Sequence, residues 1–205
     1  MKVNEIAESE LTFECNTLGV LQTSSMSNQI DQSNIFETGS YIKNNVVMGF
    51  EEYVLDVYNE LNNAFQNENF HGIDDLAANY FGVWTDSSGG VLTVLGEDKF
   101  FGILKKLSID RELFWGYYEY QYFEYLQDDL VIYRGGSGSK DDVLKGYSWT
   151  TDIEIAQEFA GRLENGVVLS AEILKDDVML VNSCQNEVVP MPSALRNISI
   201  IANAM

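Results

Sequence analysis

Basic residues are scarce in this chain. Only 12 Lys and Arg stand against 32 Asp and Glu in 205 residues, so the formal net charge is -20. Binding to a nucleic-acid backbone needs clustered Lys and Arg, and this composition therefore argues against a direct nucleic-acid partner. The same charge favours solubility and a protein partner that has a basic surface.

Cysteine, histidine and long apolar runs are also scarce. The two cysteines, Cys15 and Cys184, are too few for a disulfide framework, and with His71 as the single histidine no zinc cluster of the usual kind can be assembled. No apolar run approaches the length of a membrane span, and the start MKVNEIAESE lacks the hydrophobic region of a signal peptide. We therefore expect a cytoplasmic protein with no metal and no membrane partner.

The chain is long enough for one domain with an appended segment. Its 45% hydrophobic content can fill a proper core. Residues 1–45 are rich in Ser, Asn, Gln, Glu and Thr without a persistent period, and we expect a loosely held arm with one short strand around residues 18–21. Residues 46–205 are predicted to form a single domain.

The first part of this domain, residues 46–128, is predicted to be helical. Apolar residues at spacings of three and four line one face of a first helix: Phe50, Tyr53, Val54, Val57, Leu61 and Phe65. Further helices are expected at 73–80, 98–107 and 110–126, with a loop at 87–90 where the sequence is Ser-Ser-Gly-Gly. The last of these helices has aromatic residues on every side, so we expect it to be largely enclosed.

From residue 129 onward the pattern changes to strands. Short apolar runs separated by turn residues lie at 130–133, 166–173, 178–181, 187–189 and 198–201. Helices first and strands second is typical of an α+β domain, in which helices pack against an antiparallel or mixed sheet. The sequence thus predicts a helical part over 46–128 and a β core over 129–205.

Three positions in this β core are candidates for a functional site. Arg134 ends the strand Leu-Val-Ile-Tyr and is followed by two glycines, although a guanidinium seldom enters a core without a carboxylate or phosphate partner. Ser148 lies in the segment Tyr-Ser-Trp-Thr-Thr, which precedes a helix that Thr150 or Thr151 can cap. Glu187 opens the run Glu-Val-Val-Pro.

In that order, with Tyr-Arg-Gly first and Ser-x-Thr second, these residues resemble the Arg-Ser-Glu class of ADP-ribosyltransferases. The similarity includes the helix that ends Gln-Glu-Phe-Ala at 157–160 and the strand-like GVVLSAEI that follows it, and it covers about residues 130–202. Members of this class cleave NAD and pass ADP-ribose to a protein side chain, and some are encoded by phages. The resemblance implies an ADP-ribosyltransferase-like fold, NAD+ as co-substrate without a metal, and a toxin-like or phage effector that acts on a target protein in the host cytoplasm.

The resemblance also assigns roles. It implies an NAD-binding set of Arg134, Gly135, Ser148, Trp149, Thr150 and Phe159 and a catalytic set of Glu187, Gln185 and Ser148. A guanidinium binds a diphosphate through two parallel charge-assisted hydrogen bonds, and the glycines would let the backbone come close to it. A carboxylate on the ribose stabilises the positive charge that develops when the nicotinamide bond breaks, as in glycoside hydrolysis.

The acceptor is expected to depend on Gln185, two residues before the catalytic acid. Arginine-modifying members of the family usually have a second glutamate there, whereas asparagine-modifying members resemble the Gln-x-Glu pattern found here. An amide cannot serve as a base for arginine. We therefore expect an asparagine or glutamine acceptor, with transfer to water by an NAD glycohydrolase as the alternative.

Other interpretations remain open. Arg134 is alternatively a structural arginine paired with an acid, Ser148 and Thr150 are alternatively caps, and Trp149 and Phe159 are alternatively core aromatics. The whole chain is alternatively an acidic mimic of nucleic acid, in which case its acids should form an ordered surface stripe. A domain that keeps an NAD pocket without turnover is the third alternative.

Overall fold

The computed structural model describes residues 40–43, 46–86 and 88–203. It opens with an antiparallel hairpin of β1 (Ser40–Lys43) and β2 (Val46–Gly49). The short strand expected around residues 18–21 lies outside the described residues. The predicted arm extended to residue 45, so β1 is an ordered element that the composition did not indicate.

Six helices follow the hairpin. They are α1 (Phe50–Gln66), α2 (Ile73–Asp86), α3 (Ser88–Leu95), α4 (Glu97–Leu107), α5 (Arg111–Phe114) and α6 (Tyr117–Tyr125). The predicted face of α1 is confirmed, since Tyr53, Val54, Val57 and Leu61 are all buried. The predicted loop at 87–90 is wrong for its last three residues, because α3 already begins at Ser88.

The long enclosed helix predicted over 110–126 is also wrong. The backbone of Trp115 and Gly116 is extended and separates α5 from α6. Only Tyr122 and Phe123 of α6 are buried, while Tyr117, Tyr118 and Tyr125 are largely exposed. A high aromatic content therefore does not enclose this segment, since one side of α6 has no neighbour in the described chain to cover these rings.

The second half forms the sheet. Its strands are β3 (Asp129–Ser137), β4 (Trp149–Thr150), β5 (Gly166–Leu174), β6 (Val178–Asn182), β7 (Glu187–Pro190) and β8 (Arg196–Asn203). Two helices interrupt them, α7 (Lys140–Leu144) after β3 and α8 (Ile153–Gly161) after β4. The strand order is β6-β7-β4-β3-β5-β8, and every neighbouring pair is antiparallel.

The helices and this sheet share one hydrophobic core. Along β5, Val167, Leu169 and Ala171 belong to that core, whereas Val168 packs with Ala156 and Ala160 of α8. Because successive side chains of a strand point to opposite faces, α8 covers the face of the sheet that the N-terminal helices leave free. The domain is α+β, with N-terminal helices packed against a six-stranded antiparallel sheet.

Candidate functional site

The three residues of the predicted functional site come from three neighbouring strands. Arg134 lies in β3, Ser148 directly precedes β4, and Glu187 opens β7. Tyr133 pairs with Thr150, and Thr150 pairs in turn with Glu187, so one row of paired residues runs from the neighbour of Arg134 to Glu187 through a residue two positions after Ser148. Sheet pairing therefore brings Arg134 and Glu187 together, although they are 53 positions apart in the chain.

The Arg134 side chain binds the backbone at both ends of the loop between α7 and β4. It shares a face of β3 with Ile132, which belongs to the main core. Its Nε donates a hydrogen bond to the carbonyl of Val143 at 2.9 Å, and Nη1 donates to the carbonyl of Ser148. Burial lowers the pKa of the guanidinium below its ordinary value, and the nearby charge of Glu187 opposes this by raising it.

These two bonds leave part of the guanidinium for other partners. An arginine has five N–H donors, and Arg134 uses two of them on backbone carbonyls. The close fit of the loop also depends on Gly146, since a Cβ there would come within 1.6 Å of Nη2 of Arg134. The expectation of a structural arginine paired with an acid is met only in part: the direct bonds go to carbonyls, and Glu187 acts through its charge.

Glu187 is a buried carboxylate, with only 7% of the residue exposed. Nε1 of Trp84 in α2 donates a hydrogen bond to its Oε1 at 3.2 Å. Trp84 is itself held by Phe100 of α4, whose ring stacks on it at a centroid distance of 4.8 Å. A buried carboxylate with one bonded oxygen leaves the other as an acceptor for a ligand.

Trp84 is the residue of this site that sequence reasoning missed. It lies 103 positions before Glu187 in the chain, in a helix whose apolar pattern indicates nothing beyond core packing. The only available signal was that a buried tryptophan usually finds an acceptor for its N–H. That rule predicts a partner but does not say which residue supplies it.

The residues around Ser148 have mainly structural contacts. Ser148 is half-buried and accepts the Arg134 bond through its backbone carbonyl rather than its hydroxyl. Trp149 is a core residue, 2% exposed, and its buried Nε1 has no hydrogen-bond partner within the described residues. Thr150 is buried, and its Oγ1 accepts from the N–H of Asp152. The N-cap of α8 is Asp152, so the prediction that Thr150 or Thr151 caps this helix is wrong by one or two residues.

The glycines after Arg134 pack against helices. A Cβ on Gly135 would come within 2.1 Å of the carbonyl oxygen of Ala156, and one on Gly136 would come within 2.9 Å of Val143. The sequence led us to expect that these glycines let the backbone come close to a diphosphate. In the structure they let it come close to α8 and α7. Phe159 is 55% exposed on α8, across the sheet from the Arg134 guanidinium, so the expectation of a core aromatic at this position is wrong.

Gln185 lies at the surface near Glu187. It ends a short 3-10 turn, Ser183–Gln185, and is exposed. The next residue, Asn186, has a left-handed backbone with φ of 48°, which sharply separates the exposed Gln185 from the buried Glu187. Asn and Asp tolerate this conformation better than other non-glycine residues because their short side chains bond locally.

Two cavities lie away from these residues. One of about 190 Å³ is lined by α1 and α4, including Tyr58, Asn62 and Lys106, and another of about 180 Å³ is lined by Asn63, His71 and neighbouring residues. Within residues 40–43, 46–86 and 88–203, no group of His, Cys, Asp and Glu could hold a metal ion. No helix in the same residues is long and apolar enough to cross a membrane.

Comparison with known proteins does not assign a family. No family model matches the chain, and searches of curated proteins and of solved structures find no match either. The site therefore has to be interpreted from its own geometry: a half-buried guanidinium with unused donors, next to a buried carboxylate that a tryptophan orients.

Proposed function

We propose that this protein is an NAD-dependent mono-ADP-ribosyltransferase that modifies a side chain of a target protein, and that its α+β domain is ADP-ribosyltransferase-like. The observation that carries the proposal is the strand order β7-β4-β3, which brings Glu187, Ser148 and Arg134 to adjacent strands. The electrostatic influence of Glu187 on Arg134 supports it further. A cation and an acceptor side by side suit a substrate with both a diphosphate and a ribose hydroxyl.

Arg134 is the proposed diphosphate ligand. Its carbonyl bonds to Val143 and Ser148 fix the plane of the guanidinium, and the remaining N–H donors can bind phosphate oxygens. A planar donor group held in advance loses little conformational freedom when the ligand arrives. Ser148 contributes by anchoring Arg134 through its carbonyl.

Glu187 is the proposed catalytic carboxylate. When the bond between nicotinamide and ribose breaks, nicotinamide leaves with the bonding electron pair and positive charge develops on the ribose. The Glu187 carboxylate, held at Oε1 by Trp84, would accept a hydrogen bond from the ribose 2'-hydroxyl and stabilise that charge. The acceptor side chain then bonds to the ribose carbon and releases a proton, which gives ADP-ribosylated protein, nicotinamide and H+.

Gln185 is proposed to orient the acceptor. It is exposed two residues before Glu187, where an incoming protein side chain can reach its amide. An amide both donates and accepts hydrogen bonds but does not take up a proton near neutral pH. The proposal therefore includes an asparagine or glutamine acceptor rather than arginine.

The test is to incubate the protein with radiolabelled NAD and a cell lysate and to measure labelled protein and released nicotinamide. Glu187→Gln is the informative variant, because its amide oxygen can still accept the Trp84 bond while the negative charge is lost. We expect its rate to fall on the order of a hundredfold or more. Glu52→Gln, at an exposed position of α1, is the matched control and should keep full activity.

The outcomes separate the alternatives. Wild-type protein that neither labels a protein nor releases nicotinamide contradicts the proposal. Nicotinamide release without labelled protein would identify a glycohydrolase that transfers ADP-ribose to water. Label that appears equally with Glu187→Gln would show that this carboxylate is not the catalytic group.

A further inference from the structure

The outer side of α6 exposes an unusual group of aromatic rings. Tyr117, Tyr118 and Tyr125 are 71%, 64% and 85% exposed, respectively. At 100° per residue they fall within about 100° of arc on one side of the helix, with the exposed Gln121 between Tyr118 and Tyr125, and we name this side the tyrosine face. The rings of Tyr117 and Tyr118 contact each other edge to face, with centroids 5.5 Å apart. Clusters of exposed aromatic residues are typical of protein interaction sites rather than of free surface.

Exposed carboxylates lie beside this face: Asp110 and Glu112 are in the segment before α6, and Glu124 is in α6 itself. Partial burial raises the pKa of the neighbouring Tyr120, and the charges of Glu124, Glu112 and Asp110 raise it further. Two cations also lie here: Arg111 donates to the carbonyls of Asp176 and Val178, and Lys175 donates to the carbonyl of Glu124 and lies 4.0 Å from its carboxylate. The three acids outnumber these two cations, in a chain whose net charge is -20, so the balance of charge beside this face is negative.

The opposite, buried side of α6 lies next to the candidate site. Helix α6 packs against the turn Ser183–Gln185, and the hydroxyls of Tyr122 and Thr151 are hydrogen-bonded at 2.9 Å. Thr151 directly follows β4, the strand between Arg134 and Glu187. A protein bound to the outside of α6 would thus lie one helix away from Gln185, and the residues that flank its bound segment would extend around α6 to reach this amide.

We propose that the tyrosine face, together with Asp110, Glu112 and Glu124, is the docking surface for an arginine-rich segment of the target protein. Guanidinium groups stack on tyrosine rings and pair with carboxylates, and both kinds of group are exposed on or beside α6. Binding of the basic segment follows from the surface alone. The role of the bound protein as the substrate of Gln185 and Glu187 rests on the proposed function.

The experiment measures fluorescence anisotropy with a labelled peptide of alternating arginine and serine. The triple variant Tyr117→Ser, Tyr118→Ser, Tyr125→Ser should bind this peptide roughly tenfold more weakly than wild type, since each ring loses a cation–π contact. All three side chains are largely exposed, so the variant should unfold at an unchanged temperature. A control pair in β8, Ile200→Thr and Ile201→Thr, removes exposed apolar side chains elsewhere and should leave binding unchanged.

A matched pair of charge variants separates this surface from the overall charge. Glu112→Gln with Glu124→Gln should weaken peptide binding several-fold, whereas Glu51→Gln with Glu52→Gln in α1 changes the net charge equally and should have little effect. Equal losses from the two pairs, or unchanged binding by the tyrosine variant, would overturn the proposal. A wild-type dimer that the tyrosine variant converts to a monomer would overturn it too, because the face would then bind a second copy.

Target labelling gives a second, independent measurement. Under the proposal, the tyrosine variant labels lysate protein more slowly than wild type but releases nicotinamide from NAD at the wild-type rate in the absence of target. If the chain has no activity with NAD, the peptide measurement still decides whether the surface binds arginine-rich segments. A failure of the docking proposal and a failure of the proposed function therefore give different results.

Discussion

Replacing Gly146 by alanine tests whether Arg134 is held as the structure indicates. A Cβ at position 146 would lie 1.6 Å from Nη2 and 2.2 Å from Cζ of Arg134, far inside van der Waals contact. The backbone of Gly146 is not among the positive-φ glycines, so alanine is compatible with the chain conformation itself. The substitution must therefore act by displacing the guanidinium from the carbonyls of Val143 and Ser148.

The expected magnitude follows from these two bonds. Hydrogen bonds made by a charged group are worth about 1.5–3 kcal/mol each, and water can replace part of the loss at a half-buried side chain. We expect Gly146→Ala to lower the free energy of unfolding by about 3 kcal/mol. For a chain of this size that corresponds to a fall of roughly 6–12 °C in melting temperature.

The measurement is urea unfolding followed by tryptophan fluorescence, with two controls. Gly102→Ala in α4, where a Cβ meets nothing within 4 Å, should be neutral or stabilise the protein by up to about 1 kcal/mol. In an Arg134→Ala background the 146 substitution should cost almost nothing, because the group it displaces is gone. An effect of Gly146→Ala below about 0.5 kcal/mol in the wild-type background would refute the argument.

Two further predictions concern the packing and pH dependence of the β core. Gly135→Ala should destabilise the protein by about 3 kcal/mol in the same assay, because its Cβ would lie 2.1 Å from the carbonyl of Ala156 and α8 would have to move away; an unchanged melting temperature would contradict this. Hydrogen bonds from Lys145 and Ser139 hold the pKa of Asp142 well below its usual range. The stabilisation is therefore present above the unfolded-state pKa near 4 and is lost as the pH falls. The difference in melting temperature between wild type and Asp142→Asn should accordingly become smaller below about pH 4. A difference that stays constant down to about pH 2 would show that the ionised Asp142 carboxylate does not stabilise the fold.

The spacing of apolar residues predicted the fold best in helices and strands that are buried on one side, because burial on one side makes that spacing regular. The spacing of three and four in α1 correctly identified its buried face, since a helix packed on one side needs apolar residues on that side alone. The apolar runs predicted as strands at 130–133, 166–173 and 178–181 lie in β3, β5 and β6. A strand buried on one face shows apolar residues at a period of two, and a strand buried on both faces shows a continuous apolar run.

The errors arose where tertiary contacts outweighed local preference. Gly89 and Gly90 were expected in a loop, yet both lie in α3, where burial of Val91 and Leu95 outweighs the low helix propensity of glycine. The aromatic run at 110–126 was expected to be enclosed, but composition does not reveal which rings have a neighbour. That information resides in the packing of α6 against the rest of the chain.

By itself, the sequence determined the α+β class, the acidic character and the position of Glu187 at the start of a strand, because these depend on composition and short-range periodicity. Arg134 was expected to end a strand, but β3 continues past it through Gly135 and Gly136 to Ser137. Only the tertiary structure decided that β4 lies between β3 and β7, that Trp84 binds the Glu187 carboxylate, and that the Arg134 guanidinium bonds to the loop before β4. Strand order and contacts between distant residues depend on how the whole chain packs, and no local pattern of residues encodes them.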